Sequence, residues 1–307
     1  MAGSLRGGVI GAGVFGGYHA QQYARLPGVS FSGVFDIHPD RAARVAMPLG
    51  GRGFRDLAAF LDAVDVVTVA SPATHHAEQA LAAIAAGKHV YVEKPIAVSV
   101  ADAERLRAAA AAKGVVLACG HQERVVFQAM GLLDAPEPPL LLEALRHGPP
   151  SPRSQDVSAV LDLMIHDIDL VLAISGADPV TAEGEGVLGP NGVWDEARTE
   201  ITFDGGLTAI LDVSRLAAER RRTMRIVYPS GEVEVDFVAR TFRNTTSFAL
   251  NADFADTPAA RDPLGASVER FLATVRGEAP RPVVTADEAI AALDLALAVE
   301  QALEDAG

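Results

Sequence analysis

Gly8-Val9-Ile10-Gly11-Ala12-Gly13-Val14-Phe15-Gly16, near the start of the chain, decides the fold. Residues 8–10 read as the end of a buried strand, and residues 17–25 are compatible with a helix. A G-x-G-x-x-G run between strand and helix is the context in which that spacing holds a dinucleotide. Gly11 permits the tight turn, Gly13 lets backbone approach a pyrophosphate, and Gly16 lets helix and strand pack closely. Val14 and Phe15 fall at the helix start, whose N–H groups and positive dipole end suit phosphates. Val29–Phe35 follows as a second strand and ends at Asp36, about twenty residues past the last glycine, where an acid grips a ribose diol. The charge of Asp36 would repel a 2′-phosphate, so these residues favour NAD over NADP. The competing reading is a glycine turn beside a surface aspartate.

The same rhythm continues outward. Residues 41–47 and 56–61 read as helices, 64–70 as a buried strand, and 76–86 as a helix with Thr74 as its cap. Ser71 and Pro72 fall at a strand's carboxyl end, beside the expected nicotinamide half of the cofactor. His75 and His76 read as helix-start histidines on a solvated turn, since a metal site needs more ligands than this pair offers. Gly87-Lys88-His89-Val90-Tyr91-Val92-Glu93-Lys94-Pro95 then predicts another short buried strand, stopped by a proline that cannot donate to a sheet. Lys94 thereby falls where open α/β sheets hold their ligands. It reads either as an acid/base group or as a solvated lysine at a strand end. Ser99 caps a helix through Lys113, and a last strand, 115–118, runs into Cys119-Gly120-His121. Repeated strand–helix alternation predicts a doubly wound parallel sheet over residues 1–121.

The chain has 307 residues, 49% hydrophobic and 21% charged, which suits two domains with ample core. A formal charge of −14 argues against a nucleic-acid partner, which needs a basic face. The single cysteine, Cys119, excludes an internal disulfide and fits a reducing compartment. With no signal-peptide core and no stretch apolar enough to span a bilayer, a cytoplasmic location is expected.

Residues 122–307 read as a second domain. A helix at 123–133 and a strand at 140–146 precede a proline- and serine-rich loop. The apolar helix from Val160 to Gly176 is then broken by Asp162, His166 and Asp169, at i, i+4 and i+7 on one face. Ionisable groups on an apolar helix must be paired or wet, which a substrate cleft provides. A carboxylate one turn from His166 can fix its tautomer for proton transfer. A purely structural His–Asp pair, or a metal site completed from elsewhere, stays open. Beyond residue 198, alternation with turns at Gly205-Gly206 and Ser230-Gly231 predicts an antiparallel sheet with one polar face. Arg220-Arg221-Arg222 reads as a solvated loop or edge. Pro263–Val275 and residues 285–302 close the domain as helices, with Thr285 capping the second.

Taken together these residues resemble the glucose–fructose oxidoreductase / inositol dehydrogenase / MocA family. The resemblance rests on Gly11-x-Gly13-x-x-Gly16, Asp36, Ser71-Pro72-x-Thr74-x-His76, Glu93-Lys94-Pro95 and Asp162-x-x-x-His166-x-x-Asp169. It implies a Rossmann domain followed by an α+β domain whose open, mostly antiparallel sheet makes a homodimer or homotetramer. It also implies NAD as cofactor, with Lys94, Asp162 and His166 catalytic and Asp162 orienting His166. Ser71, Pro72, His76, Glu93 and Lys94 would join Val14, Phe15, the glycines and Asp36 in cofactor binding, with no metal. Met164 between Asp162 and His166, with Gly120-His121-Gln122-Glu123-Arg124, resembles the subgroup acting on UDP-N-acetylglucosamine. That subgroup oxidises the 3-hydroxyl to a ketone, which transamination turns into an amino sugar of lipid A. Val125-Val126-Phe127 departs from that subgroup's usual Phe-Asn-Pro. A diphosphate brought to so acidic a protein needs arginines, and Arg124, Arg146 and Arg153 are the candidates, with His121 and Asp169 nearby in sequence. The alternatives are a dehydrogenase of a free sugar, inositol or other cyclic polyol, and a non-catalytic NAD-binding regulatory protein.

Overall fold

In the computed structural model, residues 4–151 and 156–306 are described. The chain divides into two compact units, one holding residues through Gln122 and again Asp262–Ile290, the other Glu123–Arg261 and the residues from Ala291 on.

The first unit alternates β1 (Leu5–Ile10), α1 (Val14–Arg25), β2 (Val29–Phe35), α2 (Pro39–Ala46), β3 (Arg52–Phe54), α3 (Leu57–Asp62), β4 (Val66–Val69), α4 (His76–Ala85), β5 (His89–Val92), α5 (Val100–Lys113) and β6 (Leu117–Cys119). The strands form a six-stranded sheet in the order β3-β2-β1-β4-β5-β6, with every pairing parallel. Strand order reverses between β1 and β4, the switch point at which such sheets take their ligands. β4 and β5 are apolar runs because helices on both faces exclude water from them. Ser99 caps α5 by accepting from Asp102 N–H at 3.1 Å, and Gly114 ends it in the left-handed conformation. Thr74 does not cap α4: it lies within a single 3-10 turn, Ala73–His75, that leads into the helix.

In the second unit α6 (Glu123–Met130) and β7 (Leu141–His147) come first. A π-turn, Val160–Met164, then passes directly into α7 (Ile165–Ser175). Next come β8 (Pro179–Leu188), β9 (Trp194–Phe203), β10 (Thr208–Ser214), β11 (Arg221–Tyr228), β12 (Gly231–Asp236), β13 (Thr241–Asn244) and the short α8 (Pro258–Arg261). The strands form a seven-stranded sheet, β13-β12-β11-β7-β10-β9-β8. Only β7 and β10 pair in parallel; the other pairings are antiparallel. Leu142, Ala144, Leu211, Val213, Met224 and Ile226 fill its buried face. The other face carries a ladder of charges in which Arg225 pairs with Glu143 and Glu232, and Arg243 with Glu232 and Glu234. That face holds a cavity of about 610 Å³.

α9 (Pro263–Val275) corrects the placement of the closing helices, since it belongs to the first unit rather than continuing the second. Val268, Phe271 and Leu272 pack into the core around Tyr23 and Tyr91, and the Tyr91 hydroxyl lies 3.0 Å from Ser267 Oγ. Asp262 caps α9 and pairs with Arg25 of α1. α10 (Ala286–Ala306) begins in the first unit and ends in the second. Thr285 caps it reciprocally with Glu288, each accepting from the other's N–H. No helix among the described residues is long and apolar enough to cross a membrane.

Candidate active site

The glycine loop sits at the switch point because each of its glycines meets a local demand. Gly11 has φ +104°, and a Cβ there would meet the Ala70 carbonyl oxygen at 2.7 Å. A Cβ on Gly16 would lie 1.9 Å from the Gly11 carbonyl oxygen, whereas Gly13 faces open space. α1 starts at Gly13 with no side-chain cap and no acidic residue in its first turn, so its N–H groups remain available to an anion. Asp36 is fixed at the end of β2, accepting from Ala12 N–H at 2.7 Å and from His38 N–H at 2.8 Å. Both oxygens keep lone pairs for further donors such as a ribose diol. Val14, Phe15, Tyr18 and Ile37 flank these groups as exposed apolar surface, a signal the sequence motif does not contain. A dinucleotide cofactor fits this cradle: space at Gly13, donors at the helix start, an acid at the second strand and apolar walls.

Beyond β5 lies a buried polar chain. Glu93 Oε1 is 2.6 Å from His19 Nε2 and accepts from Gln122 Nε2 at 2.8 Å. His19 Nδ1 lies 3.4 Å from Thr68 Oγ1, which is 3.0 Å from the Tyr23 hydroxyl. Burial alone would raise the Glu93 carboxyl, but His19, with help from Lys94 and His76, holds its pKa below the ordinary value. Gly120 is glycine for a spatial reason, since a Cβ would stand 2.8 Å from Glu93 Oε2. Glu93 is therefore the fixed base of the turn that presents Lys94. His76 corrects the solvated-turn reading, because it is buried and its ring bridges two loops. Nδ1 lies 2.7 Å from the Pro95 carbonyl oxygen and Nε2 2.9 Å from that of Ser71. Burial lowers its pKa despite these acceptors, and a neutral ring can donate to one of them only. Ser71 bonds Gln79 through its hydroxyl, and Pro72 and His75 are exposed.

In the second unit Asp162, His166 and Asp169 do not lie on one regular α-helix, because a π-turn holds Asp162 and changes its spacing to His166. His166 is half-buried, and the carboxylate on its Nδ1 is that of Glu123, at 2.5 Å. Asp162 lies half-buried on the π-turn. Glu123 Oε1 also accepts from Arg146 Nη1 at 2.7 Å. Burial would raise the Glu123 carboxyl, but Arg146 and His166 overcome it and hold its pKa well below the ordinary value. Arg146 completes its fork on Asp167 at 2.9 and 2.7 Å, and its guanidinium lies 5.7 Å from the Phe237 ring centre. Arg124 makes the same bidentate pair with Asp169, 2.8 Å for each bond. Both arginines are buried, so the expectation that they meet a substrate diphosphate is corrected: their charges are matched inside the unit. Asp169 likewise serves Arg124. His121 is buried in the first unit, and Arg153 lies outside the described residues.

Arg222 was missed by the loop reading of the arginine run. It lies on β11 directly opposite Arg146 of β7, on the buried face, while Arg221 beside it points outward. Among the described residues no group of three or more His, Cys, Asp or Glu side chains is arranged to hold a metal.

A parallel sheet in the order 3-2-1-4-5-6, with a glycine cradle and an acid at the second strand, defines a dinucleotide-binding protein. The chain belongs to the GFO/IDH/MocA oxidoreductase family: the family's NAD-binding Rossmann fold matches residues 5–121 and its C-terminal domain residues 144–234. It is 37% identical over 313 residues to a UDP-N-acetylglucosamine 3-dehydrogenase of Acidithiobacillus ferrooxidans, covering 98% of this chain and 99% of that one. A solved structure of the Acidithiobacillus ferrooxidans enzyme of that name superposes with a TM-score of 0.90 at 35% identity, over 98% of both chains. A myo-inositol 2-dehydrogenase of Thermotoga maritima is 26% identical over 98% of this chain and 97% of its own.

Proposed function

We propose that this protein is an NAD-dependent dehydrogenase that oxidises the 3-hydroxyl of UDP-N-acetylglucosamine to a ketone. The observation that carries the reading is end-to-end likeness, at 37% identity, to an enzyme named for that reaction. NAD supplies the hydride acceptor. The remaining work falls to side chains: Lys94 and His166 manage the hydroxyl proton as hydride leaves the carbon. Glu123, 2.5 Å from His166 Nδ1, supports the basicity of the ring. Glu93 anchors the turn carrying Lys94, and Asp162 helps to orient His166. The ketone would be consumed by transamination to an amino sugar, as lipid A synthesis requires. The reading includes a cytoplasmic enzyme, with residues 1–121 as cofactor domain and the open sheet face pairing copies into a homodimer or homotetramer.

A second reading, oxidation of inositol or another neutral cyclic polyol, is favoured by the full-length likeness to an inositol dehydrogenase. A screen of NADH formation across UDP-sugars, free sugars and polyols separates the two. The first reading expects UDP-N-acetylglucosamine to give the highest kcat/KM, and a preference for inositol would replace it with the second. With the best substrate, Lys94→Met and His166→Asn should each lower kcat by about 10²–10⁴-fold, the usual contribution of a positioned acid/base group. Near-parental turnover in both variants would remove their catalytic roles.

A further inference from the structure

The two buried arginines of the second unit are matched to carboxylates, and half-buried Arg222 beside them is not. Arg146 takes Asp167 and Glu123, and Arg124 takes Asp169. Arg222 Nε is buried and has no hydrogen-bond partner among the described residues. The charged groups acting on Arg222 are Arg146 and Arg220, which repel it, and Glu123 and Asp167, which attract it. Both of those carboxylates are already bonded to Arg146, and Arg220 is exposed, so Arg146 and Arg222 face the same two acids. Burial lowers the Arg222 pKa, yet a guanidinium stays charged at any working pH. A half-buried cation without a fixed counter-ion keeps part of its fork open to an anionic ligand.

The position fits that account. β7 and β11 set Arg222 beside Arg146 on one face, and Glu123, which holds Arg146, also holds His166. The uncompensated charge therefore belongs to the cluster that carries the acid/base histidine. We propose that Arg222 is the oxyanion anchor of the substrate site, using two parallel N–H groups of its fork to hold a phosphate or carboxylate of the substrate. This rests on the reading of the chain as a nucleotide-sugar dehydrogenase, in which the oxyanion is the diphosphate. A planar fork suits phosphate or carboxylate oxygens better than a lysine does.

The test is calorimetric titration of the NAD-loaded protein with UDP and, separately, with glucuronate, on the parent, Arg222→Lys and Arg222→Met. Met keeps the apolar stem and removes the charge. UDP should bind the parent at least about tenfold more tightly than Arg222→Met, with Arg222→Lys between, as loss of charged hydrogen bonds implies. KM for UDP-N-acetylglucosamine should rise by about the same factor, with kcat little changed. Arg222→Met should melt no lower than the parent, because it removes a half-buried charge that has no carboxylate of its own. If glucuronate responds to the substitutions and UDP does not, the anchor stands and its oxyanion is a carboxylate. Unchanged binding of both ligands in Arg222→Met, or a lowered melting temperature, overturns the anchor. If the parent oxidises only neutral polyols yet binds UDP through Arg222, the anchor stands and the substrate reading falls. If it oxidises UDP-N-acetylglucosamine and Arg222→Met binds UDP normally, the reverse holds.

Discussion

Glu123 touches two basic groups at once, with Oε2 beside His166 Nδ1 and Oε1 on Arg146. Its charge lies against the His166 ring, and Arg146 fixes the carboxylate in turn. Glu123→Gln removes the charge while keeping the shape, so kcat should fall on the order of 10²-fold with NAD affinity unchanged. Arg146 retains Asp167 in that variant, which limits the loss of stability. Full turnover in Glu123→Gln would leave Glu123 as a counter-ion of Arg146 alone. Asp36 gives a second single-residue prediction. Asp36→Ser removes the charge that excludes a 2′-phosphate, so the dissociation constant for NAD should rise and that for NADP should fall. Cofactor titration of both proteins decides it, and equal parental affinity for NAD and NADP would remove this role from Asp36.

At the level of elements, the glycine loop was legible because its demands are local: a positive φ at Gly11 and a close approach at Gly16 are written in neighbouring residues. Gly16→Ala places its Cβ 1.9 Å from a backbone carbonyl oxygen, so strand and helix must separate. The expected loss is about 1–3 kcal/mol, read as a lower denaturation midpoint at unchanged slope, together with weaker NAD binding. A parental midpoint would mean that the loop relaxes freely. The strand ending at Val92 and the turn to Lys94 were legible for a similar reason, since a proline can only stop a strand there. The second unit was harder to read. Whether Arg146 and Arg222 share a face depends on the register of β7 against β11, which strand sequences do not encode one at a time. The spacing of Asp162, His166 and Asp169 suggested one stripe, but a π-turn has a different period and its sequence here is ordinary apolar helix. The pairing of His166 with Glu123 joins residues far apart in the chain and is set by packing of α6 and α7. Three consecutive arginines looked like a solvated loop because a run of charges hides the alternation of a strand.

On the scale of the whole molecule, acid sets the limit of stability, and each unit carries its own trigger. Glu93 in the first unit and Glu123 in the second both have pKa values held below the ordinary 4.5 by buried cationic or hydrogen-bonding partners. Below pH 4.5 the unfolded chain therefore takes up protons that these folded carboxylates refuse, so stability falls with pH there. Above 4.5 both states are ionised and the contribution is complete. Glu123 departs further, so its part of the loss extends to lower pH. The formal charge of −14 acts in the opposite sense, because protonating surface acids relieves repulsion. At about 0.15 M salt, however, exposed charges more than roughly 8 Å apart are largely screened, whereas buried pairs are not. The buried groups should therefore win. The melting temperature at that salt should hold level as pH falls towards 4.5 and decline below it. Glu93→Gln and Glu123→Gln should each lower the plateau and flatten the acid side, and the double variant should flatten it most. A double variant that loses stability below pH 4.5 as steeply as the parent would assign the acid response to other carboxylates.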